Sequence, residues 1–357
     1  MSWTHVRRRF AGGSALTALS YLIVFASLMG CERSDGPPSG DARALRGALV
    51  AVIGPAEGHP QWPGIRGGAE RFAAGNPSLR LLCTAPREEW GETLATAVER
   101  VLSDRPAIVC LWITDPEAAA PSVARIANQQ VVLVTMNARA TAGYPAAHVD
   151  LDWSSAAHLL GSQLGVVAAG RRSYVLVHEE GRDPLATACY RRFAAAASRQ
   201  YDLTLLEARR GTGDPRAAVE ELLGRFSHAG LVITLNPDVW LTARAGWDGE
   251  LRARNREFRF ATLSAAPVLW SRLGTPAAPG DAAALVGPLD GQIGYAAVEL
   301  AARLLLGTQR ATLERVISCE LVTPETLADF AQRYAAAANG LDVSKWLPRT
   351  TTAPAAR

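Results

Sequence analysis

Short apolar runs alternate with stretches of helical periodicity along most of this chain. The clearest instance covers residues 48–72. Ala48-Leu49-Val50-Ala51-Val52-Ile53 is apolar without interruption, the pattern of a strand buried on both faces of a parallel sheet. Gly54-Pro55 breaks the run, and a polar loop with two prolines and one Trp follows from Glu57 to Pro63. From Gly64 the period changes, with Ile65, Ala69, Phe72 and Ala73 on one helical face. Strand, loop and helix in this order put the loop at the carboxyl end of a parallel strand, where small ligands bind in α/β proteins. His59, Gln61 and Trp62 are therefore expected to face a ligand.

The same alternation predicts strands at 79–83, 107–113, 131–136, 174–178, 203–208, 230–235, 258–263, 283–287 and 316–322. Helices are expected at 89–102, 116–129, 154–168, 184–200, 214–226, from about 238, and at 292–306. Asp214-Pro215 is a good helix start, because Asp accepts free N–H groups and Pro loses nothing in the first turn. Thr323-Pro324 opens a final helix to about 336. The tail beyond it, 337–357, is poorly patterned and reads as disordered. Strands alternating with helices indicate an α/β fold with parallel sheets covered by helices. The strands are too many for one small sheet, so two sheets and two lobes are expected.

The length of 357 residues accommodates two lobes of ordinary size. The formal charge of +3 is small and no basic stripe is interleaved with aromatics, which argues against a nucleic-acid partner. Lys345 is the sole Lys, a sign of genomic base composition more than of function.

The first thirty residues read as a targeting segment. Arg7-Arg8-Arg9 form a positive n-region, and 15–28 are mostly apolar but too short for a membrane span. Leu28-Met29-Gly30-Cys31 resembles a bacterial lipobox, with Cys31 as the lipidated residue and Met29 a less usual occupant of its place. An ordinary signal peptide or signal anchor is the alternative. Arg7-Arg8-Arg9-Phe10 also permits twin-arginine export. Residues 31–45, rich in Ser, Gly, Pro and charge, read as a flexible tether to a membrane surface. Cys83, Cys110, Cys189 and Cys319 show no metal-ligand spacing, so free buried thiols are expected, although a disulfide is permitted outside the cytoplasm.

Several motifs together carry a resemblance to a known family. They are His59-Pro60-Gln61-Trp62 followed by Gly67-Gly68-Ala69-Glu70, and Ile113-Thr114-Asp115-Pro116 leading through Pro121 to Val131-Val132-Leu133-Val134-Thr135-Met136-Asn137. Residues 149–161 follow with Asp152, then 285–307 with Gln292-Ile293-Gly294, then Leu321-Val322-Thr323-Pro324-Glu325-Thr326-Leu327. In order and spacing they resemble the type I periplasmic binding proteins. The nearest group is the sugar-binding one that includes ribose-binding protein and the ligand domains of lactose-repressor-type regulators. The resemblance implies two Rossmann-like lobes joined by three hinge crossings: an N-terminal lobe at 46–137 plus 289–317 and a C-terminal lobe at 138–288 plus 318–336. Ligand would sit between them, with closure by a hinge motion. No DNA-binding helix pair precedes the fold, so the regulator branch drops out.

The resemblance also implies a binding site. Trp62 matches a position that stacks on a sugar ring, and Gln61 replaces a second aromatic. His59 stands where the family often has Asn. Asn137 and Asn236 match ligand-binding positions, an amide being able to donate and accept. Asp115 can reach the cleft or cap the following helix, and capping is the better reading. Asp152 reads as a cap. Elsewhere the family's polar groups are replaced: its Arg by Cys189, its Asp by Ser264 and its Gln by Pro288, with Asp290 close by. These losses argue against a simple pentose. With Trp62, Trp112, Trp153, Trp240 and Trp270 near strand ends and loops, the site reads as drier than a ribose site.

No Ser-His-Asp order with an activating loop, HExxH or P-loop is present, and the neighbouring Glu179-Glu180 point apart, so an enzyme is not expected. No metal or cofactor is implied. The expectation is a monomeric, membrane-tethered solute-binding protein that delivers a small, sugar-like solute to an ABC importer. The alternatives are a ligand-sensing module for a membrane sensor kinase and a degenerate binding fold used as an interaction domain.

Overall fold

The computed structural model describes residues 45–141, 145–167, 173–178, 193, 195, 204–210, 221–222, 224–226, 231–234, 259–273, 282–307 and 313–348. The expected signal segment with Cys31, the tether, Glu179-Glu180, Cys189, Asn236 and Trp240 lie outside the described residues.

Twelve strands among the described residues form two six-stranded sheets. The first contains β1 (Leu49–Ile53), β2 (Arg80–Thr84), β3 (Ile108–Ile113), β4 (Val132–Asn137), β5 (Ala147–Leu151) and β11 (Leu313–Ile317), in the order β11-β5-β4-β3-β1-β2. All its pairings are parallel. The second contains β6 (Ser173–His178), β7 (Thr204–Arg210), β8 (Leu231–Thr234), β9 (Arg259–Thr262), β10 (Ala282–Gly287) and β12 (Glu320–Val322), in the order β12-β10-β9-β8-β6-β7. Here only β12 is antiparallel, paired with β10. Two sheets with mostly parallel strands agree with the α/β expectation. Every residue of β3 is buried, as its unbroken apolar run requires of a central parallel strand.

The helices sit where the period of 3.6 put them, with ends set by local chemistry. They are α1 (Trp62–Ala74), α2 (Leu94–Ser103), α3 (Pro116–Asn128), α4 (Trp153–Val167), α5 (Asp290–Leu305) and α6 (Leu327–Ala337). The helix expected from residue 89 starts later. Glu88–Trp90 is a single 3₁₀ turn, Gly91 takes φ 70°, and a capping box between Thr93 and Thr96 then starts α2.

Three further expectations are corrected. The strand expected at 316–322 is two strands in different sheets, β11 and β12. β5 falls where no strand is expected, because its sequence AHVDL carries two polar residues in five. His148 is nonetheless 1% exposed, its Nδ1 paired with Thr135 Oγ1 on β4 at 2.8 Å, while Asp150 lies 3.9 Å from its Nε2. Burial would raise the Asp150 carboxyl, but the nearby His148 imidazole, the Leu151 N–H and Arg139 outweigh it and hold the group below its usual range. Since β5 pairs with β4 and β11, the first sheet extends to Leu151 and does not end at 137. Finally, 338–348 is ordered structure with a 3₁₀ turn at Ser344–Trp346 and a buried Val343, where a disordered tail was expected.

The chain passes between the sheets three times: from β5 into α4, which packs on β10 and β12, from β10 into α5, which packs on α1, and from β11 into β12. At the second passage α1, α5 and α6 meet almost backbone to backbone. A Cβ on Gly68 would overlap the Gly291 carbonyl, one on Gly294 the Ile65 carbonyl, and one on Gly291 the Ala337 carbonyl. Only glycine permits this approach.

The cysteines within the described residues, Cys83, Cys110 and Cys319, are free thiols. Burial pushes Cys83 up to about 12 and raises Cys110 further, so neither is a ready nucleophile.

Candidate functional site

The two sheets meet at their carboxyl edges. β12 runs antiparallel to β10 and sets Glu320 opposite Gly287, the last residue of β10. The same chain has just left β11 at Ile317. Loops from both carboxyl edges therefore gather in one region, which is where ligands enter open α/β sheets.

On the first sheet the loop after β1 brings His59, Gln61 and Trp62 to this edge. Pro63 in the first turn of α1 suits the start of a helix. Trp62 is 2% exposed, and its ring occupies the space that a side chain on Gly54 would take. Its indole Nε1–H has no hydrogen-bond partner. Trp62, Trp112 and Trp153 belong to one buried apolar cluster, each at the carboxyl edge or in the turn beyond it. His59 is half-buried, its ring centroid 6.4 Å from that of Trp112, and its Nδ1 accepts the Gln61 backbone N–H at 3.3 Å.

Gln61 and Asp290 are brought together directly. Gln61 Nε2 donates to Asp290 Oδ1 at 2.9 Å, and the Tyr334 hydroxyl donates to Asp290 Oδ2 at 2.6 Å. All three are buried. Burial pushes the Asp290 carboxyl up to about 6, opposed by the hydrogen bonds from Tyr334 and Gln61 and by the charge of His59. Burial and the neighbouring carboxylate raise the Tyr334 phenol well above its ordinary value. Tyr334 in turn stands edge-on to Trp270, 5.2 Å between centroids. One side chain thus ties the loop after β9 to the first turn of α5. Sequence reasoning missed Tyr334. The available signal was a Tyr on the apolar face of a helix, since a buried phenol requires a partner.

The other expected residues are engaged within the protein. Asn137 ends β4 at φ 70°, donates from Nδ2 to the Ile113 carbonyl at 3.0 Å and accepts the Trp153 Nε1–H at 3.4 Å. Asp115 is exposed and caps α3, accepting the N–H groups of Glu117 at 2.8 Å and Ala118 at 3.2 Å. Asp152 caps α4 through the Ser155 N–H at 3.0 Å. Trp112 donates to Thr114 Oγ1 at 3.2 Å. Ser264 is buried and its Oγ accepts the Ala266 N–H at 3.4 Å. Trp270, grouped by sequence with the other tryptophans, lies instead in the second buried cluster and donates to the Ala265 carbonyl at 2.9 Å. Among the described residues no cluster of three or more His, Cys, Asp or Glu offers a cation site.

Comparison with known proteins supplies the context. A family model described as "Periplasmic binding protein domain" matches residues 50–309. No curated protein sequence matches the chain. Similar solved structures include an ABC transporter solute-binding protein from Agrobacterium vitis bound with alpha-D-tagatopyranose. It is 14% identical, with TM-score 0.66, covering 84% of this chain and 99% of that one. Another is a solute-binding protein from Burkholderia graminis in complex with D-arabinose, 12% identical, TM-score 0.64, covering 79% and 97%. A third is the 5-methylthioribose transporter solute-binding protein from Thermotoga lettingae, 16% identical, TM-score 0.61, covering 83% and 93%.

Proposed function

The chain belongs to the periplasmic binding protein domain family and has its type I fold, and from that premise we propose that it is an extracytoplasmic solute-binding lipoprotein. It captures a small, sugar-like ligand between its two sheets and presents it to an ABC importer. The observation that carries the binding reading is the junction of the two carboxyl edges, at which the chain passes between the sheets. Two lobes joined by short passages suit a hinge that closes on a ligand, and the closed form is then what a membrane partner reads. The solutes named for the similar structures are sugars or sugar derivatives, which supports the ligand class. The lipobox at Cys31 and the composition of 31–45 support the tether. The ligand-contact set we assign is Trp62, His59 and the Asn137 region from the first sheet and Ser264 from the loop after β9, with Asn236 and Cys189, outside the described residues, included on the resemblance alone.

The test is native mass spectrometry of the full protein extracted from its own host in mild detergent. The expected result is a protein mass carrying lipid on Cys31 together with a non-covalent solute of a few hundred daltons. A solute-free protein that no carbohydrate or polyol stabilises in a thermal-shift screen overturns the sugar reading. An unlipidated Cys31 overturns the anchor.

A further inference from the structure

α6 belongs to the core of the second sheet. Its Phe330 and Tyr334 lie in one buried cluster with Val175 of β6, Leu285 of β10 and Val322 of β12. Its last turn nonetheless packs on the helices of the first sheet. The Ala338 carbonyl lies where a Cβ on Gly67 of α1 would stand, and the Ala337 carbonyl where one on Gly291 of α5 would stand. Arg71 of α1 donates to the Ala336 carbonyl at 3.2 Å. The Tyr334 hydroxyl sits over Gly64 in the first turn of α1 and donates to Asp290 Oδ2, while Gln61 donates to Oδ1. The two sheets are therefore joined by a buried contact in addition to the three passages of chain, and an ionisable carboxyl lies at its centre.

Among the described residues, the titratable groups facing Asp290 are His59 from the loop after β1 and Tyr334 from α6. α1 presents Gly64, and the first turn of α5 continues as uncharged Gly291, Gln292 and Ile293. Burial holds the Tyr334 phenol well above its ordinary value, so it keeps its proton. A neutral Asp290 retains both contacts, one of them reversed, since a phenol oxygen also accepts. A charged Asp290 is costlier in this dry place, which is why burial lifts its carboxyl to about 6. An arrangement of the lobes that admits water to Asp290 relieves that cost. Protonation thus favours the seated joint and ionisation favours its release. We propose that the Gln61–Asp290–Tyr334 joint is a proton-gated latch on the hinge, holding the lobes as described when Asp290 is neutral and letting them turn when it is charged. Lobe motion, and with it solute capture, then follows the acidity of the extracytoplasmic space. The latch rests on the two-lobe binding reading above and adds a control to it.

The experiment uses the full mature chain in mild detergent. Dyes are attached to azidophenylalanine placed at Ala127 of α3 and at Ser271 in the 3₁₀ turns after β9, both exposed. Single-molecule energy transfer between them reads the arrangement of the lobes, without solute, from about pH 5 to about pH 7.5. The expected result is a second population that grows as pH rises, with its midpoint at about 6. The population ratio should change at least about threefold, under a ceiling on the order of a hundredfold. Asp290→Asn should stay in the low-pH population throughout, and His59→Asn should keep the wild-type dependence. If Asp290→Asn fails to fold, the Asp290 carboxyl resonance of wild type labelled with ¹³C-aspartate decides, because its midpoint must coincide with that of the energy transfer. Identical distributions at the two pH limits, an undiminished dependence in Asp290→Asn, or midpoints that differ overturn the latch. Loss of the dependence in His59→Asn assigns the gate to the imidazole and overturns it too. Each of these outcomes leaves solute binding standing, since that reading is decided separately by the native mass spectrometry above.

Discussion

Gln61 and Trp62 are adjacent in sequence and equally buried, yet they belong to regions that treat polar atoms in opposite ways. Gln61 joins the meeting point of α1, α5 and α6, where Asp290 receives donors on both oxygens and glycines let the helix backbones touch. Trp62 joins the buried tryptophan cluster, where aromatic rings supply bulk and its indole N–H has no hydrogen-bond partner. A packed junction with satisfied polar groups has one arrangement and resists change. The contrast separates a polar network that ties α1, α5 and α6 together from an apolar cluster packed at the carboxyl edge of the first sheet.

The largest expected effect breaks the junction. Gly68→Ala or Gly294→Ala places a methyl against a backbone carbonyl that cannot rotate away, and should cost about 3 kcal/mol or more by urea unfolding. A loss under about 1 kcal/mol would mean that the helices can separate freely.

The second tests the polar half of the junction. Tyr334→Phe keeps the ring but removes the donor to Asp290 Oδ2, leaving a buried carboxylate oxygen unpaired. Roughly 1–3 kcal/mol should be lost at pH 7. The pH dependence has a definite sign. The folded-state value of Asp290, about 6, lies above the ordinary 3.8, so the folded protein holds this proton more tightly than the unfolded chain. Asp290 therefore contributes stability that is fully present below the unfolded value and lost as pH rises through about 6. Urea midpoints of the wild type should fall across that window relative to Asp290→Asn. Parallel profiles for the two proteins would remove Asp290 from this role.

A smaller effect separates capping from binding. Asp115→Ala should cost about 1 kcal/mol through its lost cap on α3, with ligand affinity unchanged. A changed affinity with unchanged stability would place Asp115 in the site. The smallest effect is expected at Trp90, which is 75% exposed, with its indole N–H donating to the adjacent Glu89 and Arg87 over its ring. Trp90→Ala should change stability by less than about 0.5 kcal/mol, the level of an ordinary surface substitution.

Much of the fold was legible because each element announces itself locally. Unbroken apolar runs marked β1, β3 and β4, the 3.6 period marked α1 and α3, and Asp115 read as the cap it is. β5 escaped because His148 and Asp150 interrupt its pattern, and their burial depends on Thr135 of another strand. The division of 316–322 into β11 and β12 escaped because a strand's sheet is chosen by partners far away in sequence. In the candidate site, Trp62 and Gln61 were both legible as residues of a ligand-facing loop. Which of them is hydrogen-bonded was not, because Gln61 finds its partner 229 positions further along the chain.

The sequence alone determined the alternation of strands and helices, the two-sheet α/β class and the loops that gather at strand ends, since backbone propensity and hydrophobic period act over a few residues. Tertiary structure decided which buried polar groups are satisfied. It joined Asp290, Gln61 and Tyr334 from three segments into one network and left the Trp62 indole out of it. The reason is physical. A hydrogen bond requires two groups within about 3 Å of each other, and for groups distant in sequence only the folded chain sets that distance.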